Sequence, residues 1–244
     1  MPSQWTLLAN VTEWHIIRAS NLPNGNAMTL LRKTLTALAA LALALTFTAA
    51  HAQAPALAQL SRDYVRLDPP RPVSSGDKIE VIEFFYYGCP VCYELEPTLA
   101  RWSFNAPSSV ALRRVPALAS DSWENFAKLF YSLEKLGHLQ RLHWPIYDNF
   151  HFDGIKLNEE PVMVDWVSRN GVDKQKFLDT YRSPEIAARL TAAREMTQSY
   201  DIKGVPSVVI DGKYVTSARL AGGTRELMKL VDQLVEQARK ERGK

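Results

Sequence analysis

Ile79-Glu80-Val81-Ile82-Glu83-Phe84-Phe85-Tyr86-Tyr87-Gly88-Cys89-Pro90-Val91-Cys92 is the stretch on which the fold turns. Odd positions give Ile79, Val81, Glu83 and Phe85; even positions give Glu80, Ile82, Phe84 and Tyr86. Both faces are largely apolar, the pattern of a central strand covered on both sides, here expected over 79–87. Gly88 breaks the strand. A helix follows from Cys89 to about Trp102 through Leu95 and Leu99, with Pro97 inside it as a kink. Cys89 and Cys92 are the only cysteines in the 244 residues. A strand that ends in CxxC on a helix N-terminus is the arrangement of a dithiol redox site.

The alternatives for this pair are a fixed structural disulfide and half of a metal site. A disulfide closing so short a loop removes little entropy from the unfolded chain and makes a poor staple. His138, His143 and His151 show no ligand spacing to the cysteines. Cys89, at the helix N-terminus, lies among unpaired backbone N–H groups and the positive end of the helix dipole, which favour a thiolate. In such settings the thiol pKa falls to about 3.5–7.5. Cys89 is therefore expected to be the nucleophile, and Cys92, one turn further in, the more buried and less reactive thiol.

Working outward, Asp63-Tyr64-Val65-Arg66-Leu67 alternates as a short edge strand and is stopped by Asp68-Pro69-Pro70-Arg71-Pro72. Val110 to Leu118 reads as a second strand, so 79–118 forms a βαβ unit with a right-handed crossover. From Ser120 to about Tyr200 the pattern is almost all helical, with Phe126, Leu129, Phe130 and Leu133 at helix spacing. Trp144-Pro145 is expected to interrupt the second of these helices. Pro161 opens a third, which Gly171 ends. So much helix exceeds the single helix of an ordinary crossover and reads as an inserted subdomain. Gly204 to Ile210 returns to strand, Asp211-Gly212 marks a hairpin, and Lys213 to Ser217 pairs with it. In the last helix Leu227, Leu230, Val231, Leu234, Val235 and Ala238 form one stripe.

The first 52 residues differ in character. A basic region (Arg32, Lys33), an apolar run (Leu35 to Ala50) and Ala50-His51-Ala52 read as a cleavable signal peptide over 28–52. The run is short for a membrane anchor, the competing reading. Met28 stands where such a peptide begins, so 1–27 reads as an upstream segment outside the true start. Residues 1–52 carry three basic residues (Arg18, Arg32, Lys33) and one acidic (Glu13), so their removal takes the net charge from +3 to +1. That balance calls for neither nucleic acid nor an anionic membrane surface. Export places the cysteines in an oxidising compartment, where disulfides persist.

Glu83-Phe84-Phe85-Tyr86-Tyr87-Gly88-Cys89-Pro90-Val91-Cys92, the helical block and Gly204-Val205-Pro206 together carry a resemblance. The chain is similar, over nearly all of its length after residue 52, to the DsbA family of periplasmic dithiol oxidases. The resemblance implies an α/β, thioredoxin-like fold with an inserted all-helical subdomain: 53–118 and 200–244 for the thioredoxin-like part, 119–199 for the insertion. It implies that Pro206 follows a cis bond and faces the disulfide, and that Val205 offers its backbone to the substrate. An ordinary strand-edge proline is the alternative. Glu83 shares a face with Val81 and Phe85, where burial raises a carboxyl pKa. The resemblance gives an acidic residue here the task of exchanging protons with Cys92; a strand-end carboxylate that reaches water is the alternative.

Pro90 and Val91 complete the motif, and Val91 stands where the best-known members have histidine. The expected activity is donation of the Cys89–Cys92 disulfide to exported proteins with free cysteines. Reoxidation would come from a DsbB-type, quinone-linked membrane oxidase. The expectation includes no bound cofactor, no metal, no nucleic acid, a periplasmic location and a monomer. The competing functions are a reductase or isomerase of the same fold, which the missing histidine keeps in play, and a chaperone-like peptide-binding module.

Overall fold

The computed structural model describes residues 63–243. The expected signal peptide, the segment before it and the expected start at Met28 lie outside the described residues. Among the described residues, one mixed sheet holds five strands in the order β1-β5-β4-β2-β3. These are β1 (Tyr64–Arg66), β2 (Ile79–Phe85), β3 (Val110–Pro116), β4 (Ser207–Ile210) and β5 (Tyr214–Ser217). Eight helices accompany them: α1 (Pro90–Asn105), α2 (Glu124–Lys135), α3 (Leu139–His151), α4 (Glu160–Arg169), α5 (Lys174–Tyr181), α6 (Pro184–Ser199), α7 (Ala218–Ala221) and α8 (Thr224–Glu241).

Every residue of β2 is buried, because it lies between β4 and β3 and both of its faces are covered. β2 and β3 run parallel, with Glu83 opposite Arg114, and α1 is their crossover. β4 runs antiparallel to β2 and to β5, and β1 pairs antiparallel with β5 at the edge. The β4–β5 turn has Asp211 at φ 55° and Gly212 at φ 63°, a left-handed pair closed by Lys213 N–H donating to the Ile210 carbonyl at 2.9 Å. A side chain at Gly212 would meet the Arg71 carbonyl at 2.1 Å, so glycine is required there twice over.

Three apolar clusters organise the chain. On one sheet face Ile79, Val81, Val208 and Ile210 pack against Leu95 and Leu99 of α1 and the expected stripe of α8. On the other, Ile82, Phe84, Val209 and Val215 pack against Ile186, Leu190 and Ala193 of α6. The third lies among α2–α5, and Phe85, Tyr87 and Cys92 enter it from the end of β2 and the start of α1. The sulfur motif therefore stands where the sheet meets the helices.

The expected strand from Val110 to Leu118 ends at Pro116 and that from Lys213 to Ser217 begins at Tyr214, and three further departures have a local cause. β2 ends at Phe85, because Tyr86 to Cys89 form a turn closed by Cys89 N–H donating to the Tyr86 carbonyl at 3.0 Å. β4 begins at Ser207 rather than Gly204; Pro206 has no N–H, and its carbonyl accepts from Ala218 N–H outside the ladder. α3 runs unbroken through Trp144-Pro145. A proline inside a helix costs about 3 kcal/mol. Leu142 before it and Ile146 and Tyr147 after it are buried in the same cluster. At about 1.5–3 kcal/mol for each buried side chain, that packing outweighs the break.

Candidate active site

Cys89 is the N-cap of α1, with extended backbone at φ −90° and ψ 118° and Pro90 at the first helical position. Its sulfur accepts from the Cys92 N–H at 3.4 Å and lies 3.5 Å from the Val205 carbonyl. The hydrogen bond from the Cys92 thiol lowers the Cys89 pKa to about 6, with burial opposing and the Cys92 and Val91 backbone N–H groups assisting. Val91, 38% exposed, places an apolar side chain beside it. The thiolate is thus stabilised by the helix start and by its partner thiol.

Cys92 is fully buried. Burial pushes its thiol well above the ordinary value, and the neighbouring Cys89 and Glu83 add to the shift. The two thiols of one short motif are therefore driven in opposite directions. Both are free in this structure, so the geometry is that of the dithiol.

Glu83 is fully buried too, and neither carboxylate oxygen has a hydrogen bond. Its pKa is raised to about 8, chiefly by burial and then by Glu96, with Arg114 opposing both. The water-reaching alternative is excluded by the burial. The Arg114 guanidinium lies 3.2 Å from Glu83 and donates to Glu96 at 2.7 Å, so one cation is shared by two buried carboxylates. Glu96 also lies 3.4 Å from Nε2 of His143. Nδ1 of His143 is 2.6 Å from the Tyr87 hydroxyl.

The Val205-Pro206 bond is cis, as the resemblance implies. Val205 touches the cysteine motif through its carbonyl, and the ladder of β4 starts only at Ser207, which leaves Val205 outside the sheet's own pairing. All of the expected residues, Glu83, Cys89, Pro90, Val91, Cys92, Val205 and Pro206, thus meet at or beneath the N-terminus of α1.

Sequence reasoning missed Glu96 and His143 as members of the group and left Arg113-Arg114 open between flanking the site and facing solvent. Two signals were present. Glu96 is four residues after Cys92 and so on the same helix face. Arg114 falls opposite Glu83 once β2 and β3 are aligned in parallel. His143 offered none, because its place depends on how α3 packs. Among the described residues, no group of three or more His, Cys, Asp or Glu is placed to hold a metal ion.

Comparison with known proteins agrees with this geometry. Residues 106–235 match the family model of the DSBA-like thioredoxin domain, a match that begins beyond the two cysteines. The Thiol:disulfide interchange protein DsbA of Pseudomonas aeruginosa PAO1 is 40% identical over 178 residues, covering 73% of this chain and 84% of that protein. The DsbA of Azotobacter vinelandii is 38% identical over 192 residues, covering 79% and 90%. The crystal structure of Pseudomonas aeruginosa DsbA superposes with a TM-score of 0.71 at 39% identity, covering 75% of this chain and 95% of that one. The oxidoreductase DsbA of Xylella fastidiosa gives 0.68 at 27% identity, covering 73% and 96%.

A thioredoxin-like α/β fold carrying paired cysteines at a helix start defines a thiol:disulfide oxidoreductase. Within that class the chain belongs to the DsbA family.

Proposed function

We propose that the Cys89–Cys92 disulfide is donated to exported proteins as they fold. The observation that carries this is the opposed character of the two sulfurs: Cys89 half-buried with its pKa lowered to about 6, Cys92 fully buried with its own raised. In the oxidised protein only Cys89 is open to attack. A client thiolate forms a bond to the Cys89 sulfur, and the Cys89–Cys92 bond breaks with its electron pair on Cys92. Cys92 is a poor thiolate and needs a proton. Glu83, whose pKa of about 8 keeps it protonated at neutral pH, is the buried acid nearest in charge coupling to supply one. A second client thiolate then attacks the client sulfur of the mixed disulfide. Cys89 departs as the stabilised thiolate, and the client leaves oxidised.

Val205, outside the sheet's pairing and beside the Cys89 sulfur, offers an extended client strand its backbone, with Pro206 setting the edge. Pro90 at the first helical position and Val91 shape the exposed side of the motif. The chemistry needs only sulfurs and proton carriers, so no bound cofactor or metal enters it. The division into a thioredoxin-like part (53–118 and 200–244) and a helical insertion (119–199) is part of the same reading. The cysteine-bearing elements come from the first part, and Phe126 and Tyr147, which surround Tyr87, from the second.

The setting is the periplasm, reached through a signal peptide over 28–52 and supported by the relatives' shared family. Among the described residues, no helix is long and apolar enough to cross a membrane. A membrane quinone-linked oxidase of the DsbB type restores the disulfide. The test is the reduction potential of the pair against glutathione, together with recovery of activity by a reduced, unfolded client. A potential well above that of thioredoxin, about −270 mV, is expected; a value at or below it reverses the electron flow and overturns the reading.

A further inference from the structure

The depressed pKa of Cys89 has no side-chain cation behind it: Val91 fills the motif, and the stabilising contacts are the Cys92 thiol and the first N–H groups of α1. Contacts of that kind act only within the first turn of a helix. They therefore depend on the orientation of the turn that delivers Cys89 to the helix, Tyr86-Tyr87-Gly88-Cys89.

That turn is held at its corner by one helix. Tyr87 is buried, and α3 grips it at both ends. Nδ1 of His143 lies 2.6 Å from the Tyr87 hydroxyl, and Nε2 of His151 lies 2.7 Å from the Tyr87 carbonyl. A carbonyl can only accept, so Nε2 of His151 carries the proton. Burial keeps the Tyr87 phenol protonated and pushes His143 towards its neutral form, so the hydroxyl donates to Nδ1 and the ring's remaining N–H is on Nε2, 3.4 Å from Glu96. The His151 ring is fixed in turn by stacking on Tyr93 at 5.0 Å and 16°. Trp144 stacks on Tyr93 at 5.2 Å, and the Tyr93 hydroxyl donates to Asp148, so two more α3 residues hold the stack. On the other side of the turn, the Tyr86 ring lies flat on Trp123 at 4.2 Å.

We propose that His151 and His143 are positioning residues for disulfide exchange: by fixing the Tyr87 carbonyl and phenol they hold the turn that sets the Cys89 sulfur against the N-terminus of α1. Neither histidine touches a sulfur. They act through Tyr87, and the donor on His151 is the stronger hold because it grips the backbone itself, two residues from the nucleophile. The inference rests on the reading of Cys89 as the nucleophile.

The experiment is the pH profile of alkylation of the reduced full chain by iodoacetamide, with the modified cysteine located by mass spectrometry and folding checked by thermal unfolding. His151→Leu keeps an apolar side chain beside Tyr93 but loses the donor. It is expected to move the Cys89 midpoint up by about one unit, a loss of about tenfold in thiolate below the midpoint. His151→Gln retains an N–H that can reach the carbonyl and is expected to stay near the wild-type midpoint. Equal midpoints in wild type and His151→Leu overturn the inference, as do equal shifts in the leucine and glutamine variants, which would mean lost packing alone. Should His151→Leu fail to fold, the ¹⁵N spectrum of the wild-type ring decides. With the imidazole neutral, an Nε2–H tautomer supports the inference and an Nδ1–H tautomer overturns it. A wild-type Cys89 that titrates like an ordinary thiol removes the redox-site reading itself and this inference with it, a result distinct from a low wild-type midpoint that the variants leave unmoved.

Discussion

Glu83 of β2 and Arg114 of β3 are direct neighbours in the parallel pairing, and their side chains meet 3.2 Å apart beneath the cysteine motif. The register of two strands thus places a cation under an acid that burial would otherwise isolate. Arg114 also holds Glu96, so its removal strips that buried carboxylate of its counter-charge, beside a Glu83 that holds its own proton at neutral pH. Breaking a buried pair from one side costs about 3–5 kcal/mol. Arg114→Met should lower stability by that order in urea unfolding at neutral pH, and Glu96→Gln in the same background should restore part of it. A neutral Arg114→Met would show that the pair carries no weight.

The Glu83 carboxyl itself makes a pH prediction. Its folded pKa of about 8 lies above the ordinary carboxyl value of 4.5, so between those values the folded protein holds a proton that the unfolded chain has lost. The unfolded state then binds fewer protons, and stability falls as pH rises, by at most about 1.4 kcal/mol per pH unit from this group. The contribution is fully present below pH 4.5 and gone above about pH 8. Glu83→Gln removes the slope, so its stability relative to wild type should grow across that window. Parallel pH–stability curves for the two proteins would contradict the assignment.

The two cysteines should separate cleanly by chemistry. In the reduced native protein iodoacetamide should label Cys89 with a midpoint near pH 6 and leave Cys92 untouched until the chain is denatured. Labelling of Cys92 in the native state would place the reactive thiol wrongly.

Trapping should follow the same order. Cys92→Ser cannot re-form the internal disulfide and should hold a client as a mixed disulfide through Cys89, visible on a non-reducing gel. Cys89→Ser should hold none and should lose disulfide exchange entirely. A mixed disulfide through Cys92 in the second variant would reverse the roles.

Gly88 offers a local test of the turn. A Cβ there would fall 2.5 Å from the Tyr86 ring, which stacks on Trp123. Gly88→Ala must push the ring off its partner, and a forced shift of this kind costs about 1–3 kcal/mol. Thermal unfolding should show the loss, and alkylation should show a raised Cys89 midpoint; an unchanged protein would mean the turn yields freely.

Much of this was legible in the chain because short-range rules decided it. β2 has apolar residues on both faces, and Asp211-Gly212 and the stripe from Leu227 to Ala238 each follow from local geometry. The sulfurs, Glu83 and Val205-Pro206 were legible because each breaks a local rule: a carboxylate in a buried strand, a proline at a strand start, two cysteines with little use as a staple. Pro145 misled, since propensity argued for a break and only the burial of Leu142, Ile146 and Tyr147 overrides it. The roles of His143 and His151 stayed hidden, and that of Arg114 stayed open, for a different reason. The Tyr87 partner of the two histidines lies 56 and 64 residues away, the Glu83 partner of Arg114 lies across a strand pairing, and no pattern along the chain reports the angle at which α3 meets β2.

Cys92 belongs to the cluster built from α2–α5 and not to either face of the sheet. A bond made or broken at that sulfur is therefore a change inside the helical packing. Any substitution that loosens or tightens those helices favours one oxidation state of the pair over the other, even far from the sulfurs. Sequence drift in the helical segment would be read out in millivolts, and the oxidising power of such a protein can be retuned without altering a residue of its CxxC motif.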